Sequence, residues 1–104
     1  MTYAFTQDVP IDAEFYQRIT NGLGNDVPSG LVVHLAIELP EGGLRYIDVW
    51  ESQEASDRFA EERLHPVVHP LLGEIFGDHL PEEPPRTEIQ VLHIWGSAVA
   101  SATR

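Results

Sequence analysis

The chain has 104 residues, no cysteine and a formal net charge of −11, with 17 acidic residues against 6 lysines and arginines. This length predicts one domain, and the lack of cysteine excludes disulfide bonds and thiolate metal sites. Nucleic acids and anionic membranes bind cationic surfaces, so the acidic charge argues against both as partners. No apolar run approaches the roughly 18 residues of a membrane helix. The N-terminus lacks the pattern of a signal peptide, so we expect a cytoplasmic location.

The first part of the chain predicts a strand followed by a helix. Alternating residues favour a short strand from Tyr3 to Asp8. Asp12 is a suitable N-cap for the helix that follows, and Gly22 or Gly24 ends it. The buried stripe of this helix is formed by Phe15, Ile19 and Leu23.

A β-hairpin is predicted next. Residues Leu31 to Leu39 alternate between apolar and mixed positions, and residues Leu44 to Trp50 do the same. The residues between them, Pro40 to Gly43, have the composition of a tight turn, which requires the two strands to be antiparallel.

The two hairpin strands carry polar and aromatic side chains that we expect on one side of the sheet. His34 and Glu38 share one face of the first strand, and Tyr46, Asp48 and Trp50 share one face of the second. A histidine beside a carboxylate has the chemistry of a general base, because the carboxylate fixes the tautomer and raises the basicity of the ring. The alternative is a polar patch buried at a dimer interface.

A second helix is predicted to begin at Ser52 as its N-cap. Helical spacing of apolar residues continues far beyond it, but Pro66 and Pro70 interrupt the pattern, and only the first turn of a helix accommodates proline without loss. The sequence therefore predicts a break near His65 to His69 and a short final helix from about Pro70 to Phe76.

The last part of the chain predicts a loop and one more strand. Residues Gly77 to Arg86 form the loop, and Thr87 to Trp95 form the strand. We expect the tail at 96–104 to be poorly ordered. The whole chain, 1–104, is thus predicted as one α+β domain with the ferredoxin-like order βαββαβ, in which two helices cover one face of a four-stranded antiparallel sheet. The other face carries apolar groups, so a partner subunit is its natural cover.

This order of elements, together with Val49-Trp50-Glu51-Ser52 followed by Glu54-Ala55 and Phe59, resembles the dimeric α+β barrel superfamily. The nearest branch is that of the antibiotic-biosynthesis-monooxygenase-like proteins, which include cofactor-independent oxygenases and haem-degrading monooxygenases. The resemblance implies a homodimer whose sheets pack face to face, and a cavity between the sheet and the helices of each subunit.

The haem-degrading members use an asparagine, a tryptophan and a histidine. By the resemblance, the tryptophan position falls on Phe59, the histidine position on His69 and the asparagine position near Gln7. Only the histidine is retained. Haem bound through His69 is therefore an alternative to the expectation that no cofactor is needed. His65 and His69 have a spacing used by some metal sites, but each is followed by proline, and we expect no metal site.

These observations lead to a set of candidate functional residues. Cofactor-free oxygenation needs a base that ionises a phenolic substrate, and the candidate catalytic residues are His34, His69 and His93. The candidate pocket residues are Phe59, Val68, Leu72, Tyr46 and Trp50. The leading hypothesis is a homodimer that binds or oxidises a small apolar aromatic molecule in a subunit cavity. The alternatives are a non-catalytic structural or ligand-binding dimer, in which apolar residues such as Phe15, Tyr16, Leu64 and Phe76 form a closed core, and a haem-binding or haem-degrading protein.

Overall fold

The computed structural model describes residues 2–95, so the tail at 96–104, predicted to be poorly ordered, lies outside the described residues. Within them the chain forms β1 (Tyr3–Val9), α1 (Ala13–Leu23), β2 (Leu31–Glu38), β3 (Leu44–Trp50), α2 (Gln53–Phe59), a π-helical segment (Ala60–Leu64), α3 (His65–Phe76) and β4 (Arg86–Ile89). None of the helices in this part of the chain combines the length and the apolar character needed to cross a membrane.

The four strands form one antiparallel sheet in the order β2-β3-β1-β4. Both central strands, β3 and β1, are paired on two sides, whereas β2 and β4 lie at the edges. This order and the succession of elements confirm the predicted α+β, ferredoxin-like βαββαβ fold. In this arrangement α1 packs against α3 on the same side of the sheet.

Both predicted N-caps are present. The Asp12 side chain accepts a hydrogen bond of 2.8 Å from the backbone N–H of Phe15. The Ser52 hydroxyl oxygen accepts one of 3.1 Å from the backbone N–H of Ala55. Each bond satisfies a backbone donor that has no partner inside the helix, a contribution of about 1 kcal/mol to helix stability. The two caps fix where the helices start relative to the strands before them.

The end of α1 distinguishes the two glycines of the prediction. Gly24 is the C-cap, with a φ of 83° that other residues rarely adopt, and its N–H bonds the carbonyl of Thr20. Gly22 lies inside the helix, where a Cβ atom would stand 2.7 Å from a methyl carbon of Val67 on α3. Gly22 therefore permits the close approach of the two helices.

The second helix differs from the prediction in where and how it is irregular. The predicted break at His65–His69 is wrong, because α3 already begins at His65 and runs to Phe76. The irregularity is instead the π-helical turn Ala60–Leu64, in which the His65 N–H bonds the carbonyl of Ala60. A wider turn just before Pro66 relieves the clash between the proline ring and the preceding carbonyls. Pro66 then occupies the first turn of α3, and Pro70 is held inside the helix.

The last strand is shorter than the predicted Thr87–Trp95. β4 covers only Arg86–Ile89, and its last pair joins Ile89 to Ala4 of β1. Because β1 itself begins at Tyr3, the residues after Ile89 have almost no strand left to pair with. The chain from residue 90 to 95 therefore leaves the sheet.

The sheet has an inner face under the helices and an outer face without cover among residues 2–95. The core between sheet and helices includes Phe5 and Phe15, and Trp50 is its most enclosed large side chain, at 1 % exposure. On the outer face, strand alternation places the apolar side chains of Val33, Leu35, Ile37, Ile47 and Val49. Leu35 is 48 % and Ile37 42 % exposed, so this face presents apolar surface to the surroundings.

Candidate functional site

A chain of hydrogen bonds crosses the inner face of the sheet and reaches α1. His34 on β2 is paired directly with Asp48 on β3, which brings the two side chains together on one face. His34 Nδ1 lies 2.5 Å from Asp48 Oδ1, and His34 Nε2 lies 2.8 Å from the hydroxyl of Tyr16. The other carboxylate oxygen, Asp48 Oδ2, accepts a bond of 3.1 Å from the indole N–H of Trp50.

The bonds of Asp48 determine what the histidine can do. With Nδ1–H donating to the carboxylate, neutral His34 presents Nε2 as a hydrogen-bond acceptor, and the Tyr16 hydroxyl donates to it. The Asp48 side chain is 11 % and the His34 side chain 29 % exposed, so the pair is largely shielded from water. We call Asp48, His34 and Tyr16 the relay. It has the geometry of a base whose tautomer is fixed by a carboxylate.

Two tyrosines, Tyr16 in the relay and Tyr46 beside it, stay protonated at neutral pH. Burial, and then the negative charge of Asp48, raise the pKa of Tyr16 above its ordinary value. Burial raises the pKa of Tyr46 strongly, with smaller contributions from Tyr16 and Asp48. The Tyr46 ring centroid lies 5.2 Å from that of His34 and 5.7 Å from that of Tyr16. Both phenols are therefore hydrogen-bond donors at the site.

The Tyr46 hydroxyl is available to a ligand. The side-chain hydrogen bonds of residues 2–95 do not include this group. No fully buried side-chain polar atom in that part of the chain lacks a partner, so the hydroxyl is not sealed in the core. Tyr46 lines both of the cavities described next, so a ligand in either cavity lies beside this residue.

The relay lies on the wall of a cavity of about 270 Å³, here called the first cavity. Its floor is the inner face of the sheet, and its sides are α1, the loop after α1 and the π-helical segment. Apart from the relay, its wall is mostly apolar and includes Phe5, Ile19, Leu23, Trp50, Phe59 and Leu64. Arg63 also lines it, and so does Arg86, whose guanidinium lies 3.7 Å from the Glu83 carboxylate and 4.0 Å from that of Asp57.

The two arginines are held by different contacts. The Arg63 side chain donates hydrogen bonds to the backbone carbonyls of Leu23 and Asp26, at 3.2 and 3.0 Å, and so holds the loop that borders the first cavity. The Arg86 guanidinium lies 4.6 Å from the ring centroid of Phe5. These contacts fix both cations beside the apolar wall.

A second cavity, of about 290 Å³, adjoins the first. It lies between β1, α1, α3 and the loop before β4, and it is lined mainly by apolar side chains. Four residues line both cavities and form the partition between them: Gln7, Ile19, Tyr46 and Leu64. Gln7 is fixed in this partition, because its amide donates a hydrogen bond of 2.7 Å to the carbonyl of Pro84.

The candidate residues named from the sequence are distributed over the two cavities, and one of them lies outside both. His34, Trp50 and Phe59 line the first cavity, and Tyr46 lines both. His69, Val68 and Leu72 line the second cavity. His93 lines neither cavity; it is exposed, and its ring packs edge-on against Trp95 at 5.9 Å. The three candidate catalytic histidines therefore do not meet at one site in the described chain.

The residues expected at the haem-degrading positions line different cavities. His69 lies on the second cavity, and its ring stacks on that of His65 with 4.8 Å between the centroids. Phe59 lies on the first cavity, on the other side of the partition. Within residues 2–95 no group of three or more histidine, aspartate or glutamate side chains could hold a metal ion.

Tyr16 is the residue of the relay that the sequence did not indicate as a partner of His34. Its place on α1 marks it only as part of an apolar helix face, and the histidine it contacts is 18 residues away. No local pattern relates the rotation of α1 to the position of His34 on the sheet. Comparison of the chain with protein-family models and with curated proteins finds no match.

Proposed function

We propose that this protein binds a small aromatic molecule with an acidic hydroxyl group in the first cavity and ionises it for oxidation by O₂. The observation that carries the proposal is the relay, Asp48–His34–Tyr16, which lies on the wall of an apolar cavity. A cavity of about 270 Å³ lies just below the range of roughly 300–1,000 Å³ for small-molecule sites. It therefore suits a head group of one or two rings.

The relay would remove the hydroxyl proton of the ligand in two coupled transfers. Tyr16 passes its proton to His34 Nε2 and takes the proton of the ligand, and the carboxylate of Asp48 stabilises the imidazolium that results. Tyr46 donates a hydrogen bond to the phenolate oxygen, and the positive charge of Arg63 favours the anion. An ionised phenol is richer in electrons at the carbon opposite the oxygen, where O₂ then reacts.

The oxidation balances without a cofactor. One phenol and one O₂ give one quinone and one water, because one oxygen atom bonds to the ring carbon opposite the hydroxyl. The other oxygen atom leaves as water with two hydrogens, which are the hydroxyl proton held by the relay and the hydrogen of that ring carbon. The four electrons lost by the phenol are those gained by O₂. This activity is the one that the resemblance to cofactor-independent oxygenases implies.

The ionisation step is tested with 4-nitrophenol, whose phenolate is yellow and whose nitro group blocks the carbon that O₂ would attack. We expect the pKa of the bound phenol to fall below that of the free phenol in the wild type. In Tyr16→Phe and His34→Gln this shift disappears, and in the control His79→Ala, which lines neither cavity, it stays. An equal shift in all four proteins would refute the role of the relay.

The oxidation step is tested with 1-naphthol by measuring O₂ uptake and naphthoquinone formation together. We expect one O₂ consumed per quinone in the wild type and a loss of at least about 100-fold in His34→Gln, the usual contribution of a positioned base. Binding without turnover would instead favour the ligand-binding alternative. No binding at all would favour the structural one.

We also propose that the protein assembles as a cytoplasmic homodimer through the outer face of the sheet. The support is the exposed apolar side chains of this face, among them Leu35 and Ile37. Sedimentation equilibrium should give a dimer for the wild type and a monomer for Leu35→Lys. The matched control Ile75→Lys changes an exposed apolar residue of α3 and should remain dimeric. A monomeric wild type would refute the assembly.

A further inference from the structure

The second cavity has no role in the ionisation step, yet it adjoins the site of that step. Its wall is built largely from apolar side chains of α1, α3 and the loop before β4, such as Ile11, Phe15, Val68, Leu72, Phe76 and Leu80. The three residues of the relay contact only the first cavity. The space on the inner face of the sheet is therefore divided into a half with the polar relay and a half that is mainly apolar.

Four residues lie between the two halves. Ile19 and Leu64 approach the partition from the helices, and Gln7 and Tyr46 approach it from the sheet. Gln7 is tied to Pro84, but the Tyr46 hydroxyl has no partner among the side-chain hydrogen bonds of residues 2–95. A ligand that crosses the partition can accept a hydrogen bond from Tyr46 while its ends lie in the two cavities.

We propose that the second cavity binds an apolar tail of the same ligand, which makes the ligand class an alkyl-substituted phenol. This inference rests on the proposed function, since the phenolic head is the group that the relay ionises. Each cavity alone, at about 270 and 290 Å³, falls just below the usual range for small-molecule sites, whereas a ligand that occupies both falls within it. Burial of the tail accounts for affinity, and the relay accounts for orientation.

The test is a series of 3-alkylphenols from methyl to octyl, which leave the carbon opposite the hydroxyl free, titrated against the full chain by isothermal calorimetry. Each methylene group that enters the second cavity should tighten binding roughly threefold to fourfold. In Leu72→Trp, which fills the second cavity, the affinity ratio of octylphenol to methylphenol should fall at least about tenfold. The control Leu92→Trp changes a side chain that is 100 % exposed and lies outside both cavities, so its ratio should equal that of the wild type.

Two further variants keep the interpretation unambiguous. Val68→Phe fills the same cavity from another position on α3 and replaces Leu72→Trp if that variant does not fold. Leu35→Lys removes apolar surface from the outer face, and an unchanged chain-length dependence there excludes binding of the tails to that face. A chain-length dependence that Leu72→Trp and Val68→Phe leave intact overturns the second cavity as the tail site. Methylphenol binding that requires Tyr16 but gains nothing from longer chains overturns this inference and leaves the proposed function standing; no binding of any phenol overturns both.

Discussion

Replacement of Asp48 by asparagine tests the centre of the site. The carboxylate accepts two hydrogen bonds, from His34 Nδ1 through one oxygen and from the indole of Trp50 through the other. An asparagine has the same shape but only one acceptor oxygen, because its other terminal atom is an NH₂ group that donates. Trp50 is 1 % exposed and cannot turn to water, so we expect the amide oxygen to face the indole and the NH₂ group to face His34 Nδ1.

The expected loss of stability follows from the loss of the charged acceptor. Hydrogen bonds to charged groups contribute about 1.5–3 kcal/mol, against about 1 kcal/mol for neutral ones, and two such bonds are weakened. We therefore expect Asp48→Asn to lower the free energy of unfolding by about 1–3 kcal/mol, which corresponds to roughly 4–8 °C in Tm per kcal/mol for a domain of this size. Denaturation by urea, followed by tryptophan fluorescence, measures the difference directly.

The same variant should also reverse the direction of the relay. If the asparagine NH₂ donates to His34 Nδ1, the ring proton moves to Nε2, which then donates to the Tyr16 hydroxyl instead of accepting from it. Nitrogen NMR of the histidine ring reports the tautomer, and the pKa shift of bound 4-nitrophenol should vanish. Asp8→Asn is the matched control, because Asp8 is an exposed strand carboxylate paired with Arg45. Equal effects of both variants on stability and tautomer would refute the reasoning.

Two predictions concern stability away from the relay. Gly22→Ala should destabilise the fold by about 1–3 kcal/mol, because the new Cβ would meet Val67 at 2.7 Å, whereas Gly73→Ala on α3 has nothing within 4 Å and should stabilise it by up to about 1 kcal/mol. Urea denaturation of both variants measures the change in the free energy of unfolding. If adding Val67→Ala does not restore the stability lost in Gly22→Ala, the clash with Val67 is not the cause. The raised pKa values of Tyr16 and Tyr46 mean that the folded chain holds these protons more tightly than the unfolded chain. Their contribution to stability is complete below the ordinary value of 10.0 and is lost as the pH rises above it. Unfolding curves at successive pH values above 9 should therefore show falling stability, with a shallower fall in Tyr46→Phe than in Tyr3→Phe.

The half of the relay that lies on the sheet could be predicted from the sequence. Strand alternation places His34 and Asp48 on chosen faces, and the short turn between the strands forces them to be antiparallel neighbours. These are local rules, so a single sequence is enough to apply them. The N-caps Asp12 and Ser52 were predictable for the same reason, since a cap depends on a bond that spans three residues.

The rest of the site depends on tertiary packing. Tyr16 reaches His34 only because α1 has one particular rotation about its axis, and that rotation is set by contacts such as the close approach of Gly22 to Val67. His93 is a candidate catalytic residue on the predicted last strand, but it lies outside the sheet. The pairing of β4 with β1 ends at Ile89–Ala4, because β1 begins at Tyr3. How a helix accommodates Pro66 and Pro70 also depends on packing. In the structure α2 continues into α3 through a π-helical turn and does not break.

That π-helical turn sets the rotational register of everything after it. One residue more than an α-helical turn rotates all later side chains by about 100° about the helix axis. Val68 and Leu72 face the second cavity, while Phe59, before the turn, faces the first. The extra residue rotates α3 relative to α2 about the shared helix axis. The apolar residues of α2 therefore face the first cavity, and those of α3 face the second. A chain shortened by one residue in Ala60–Leu64 would lose this offset, and the apolar residues of α3 would turn away from the second cavity.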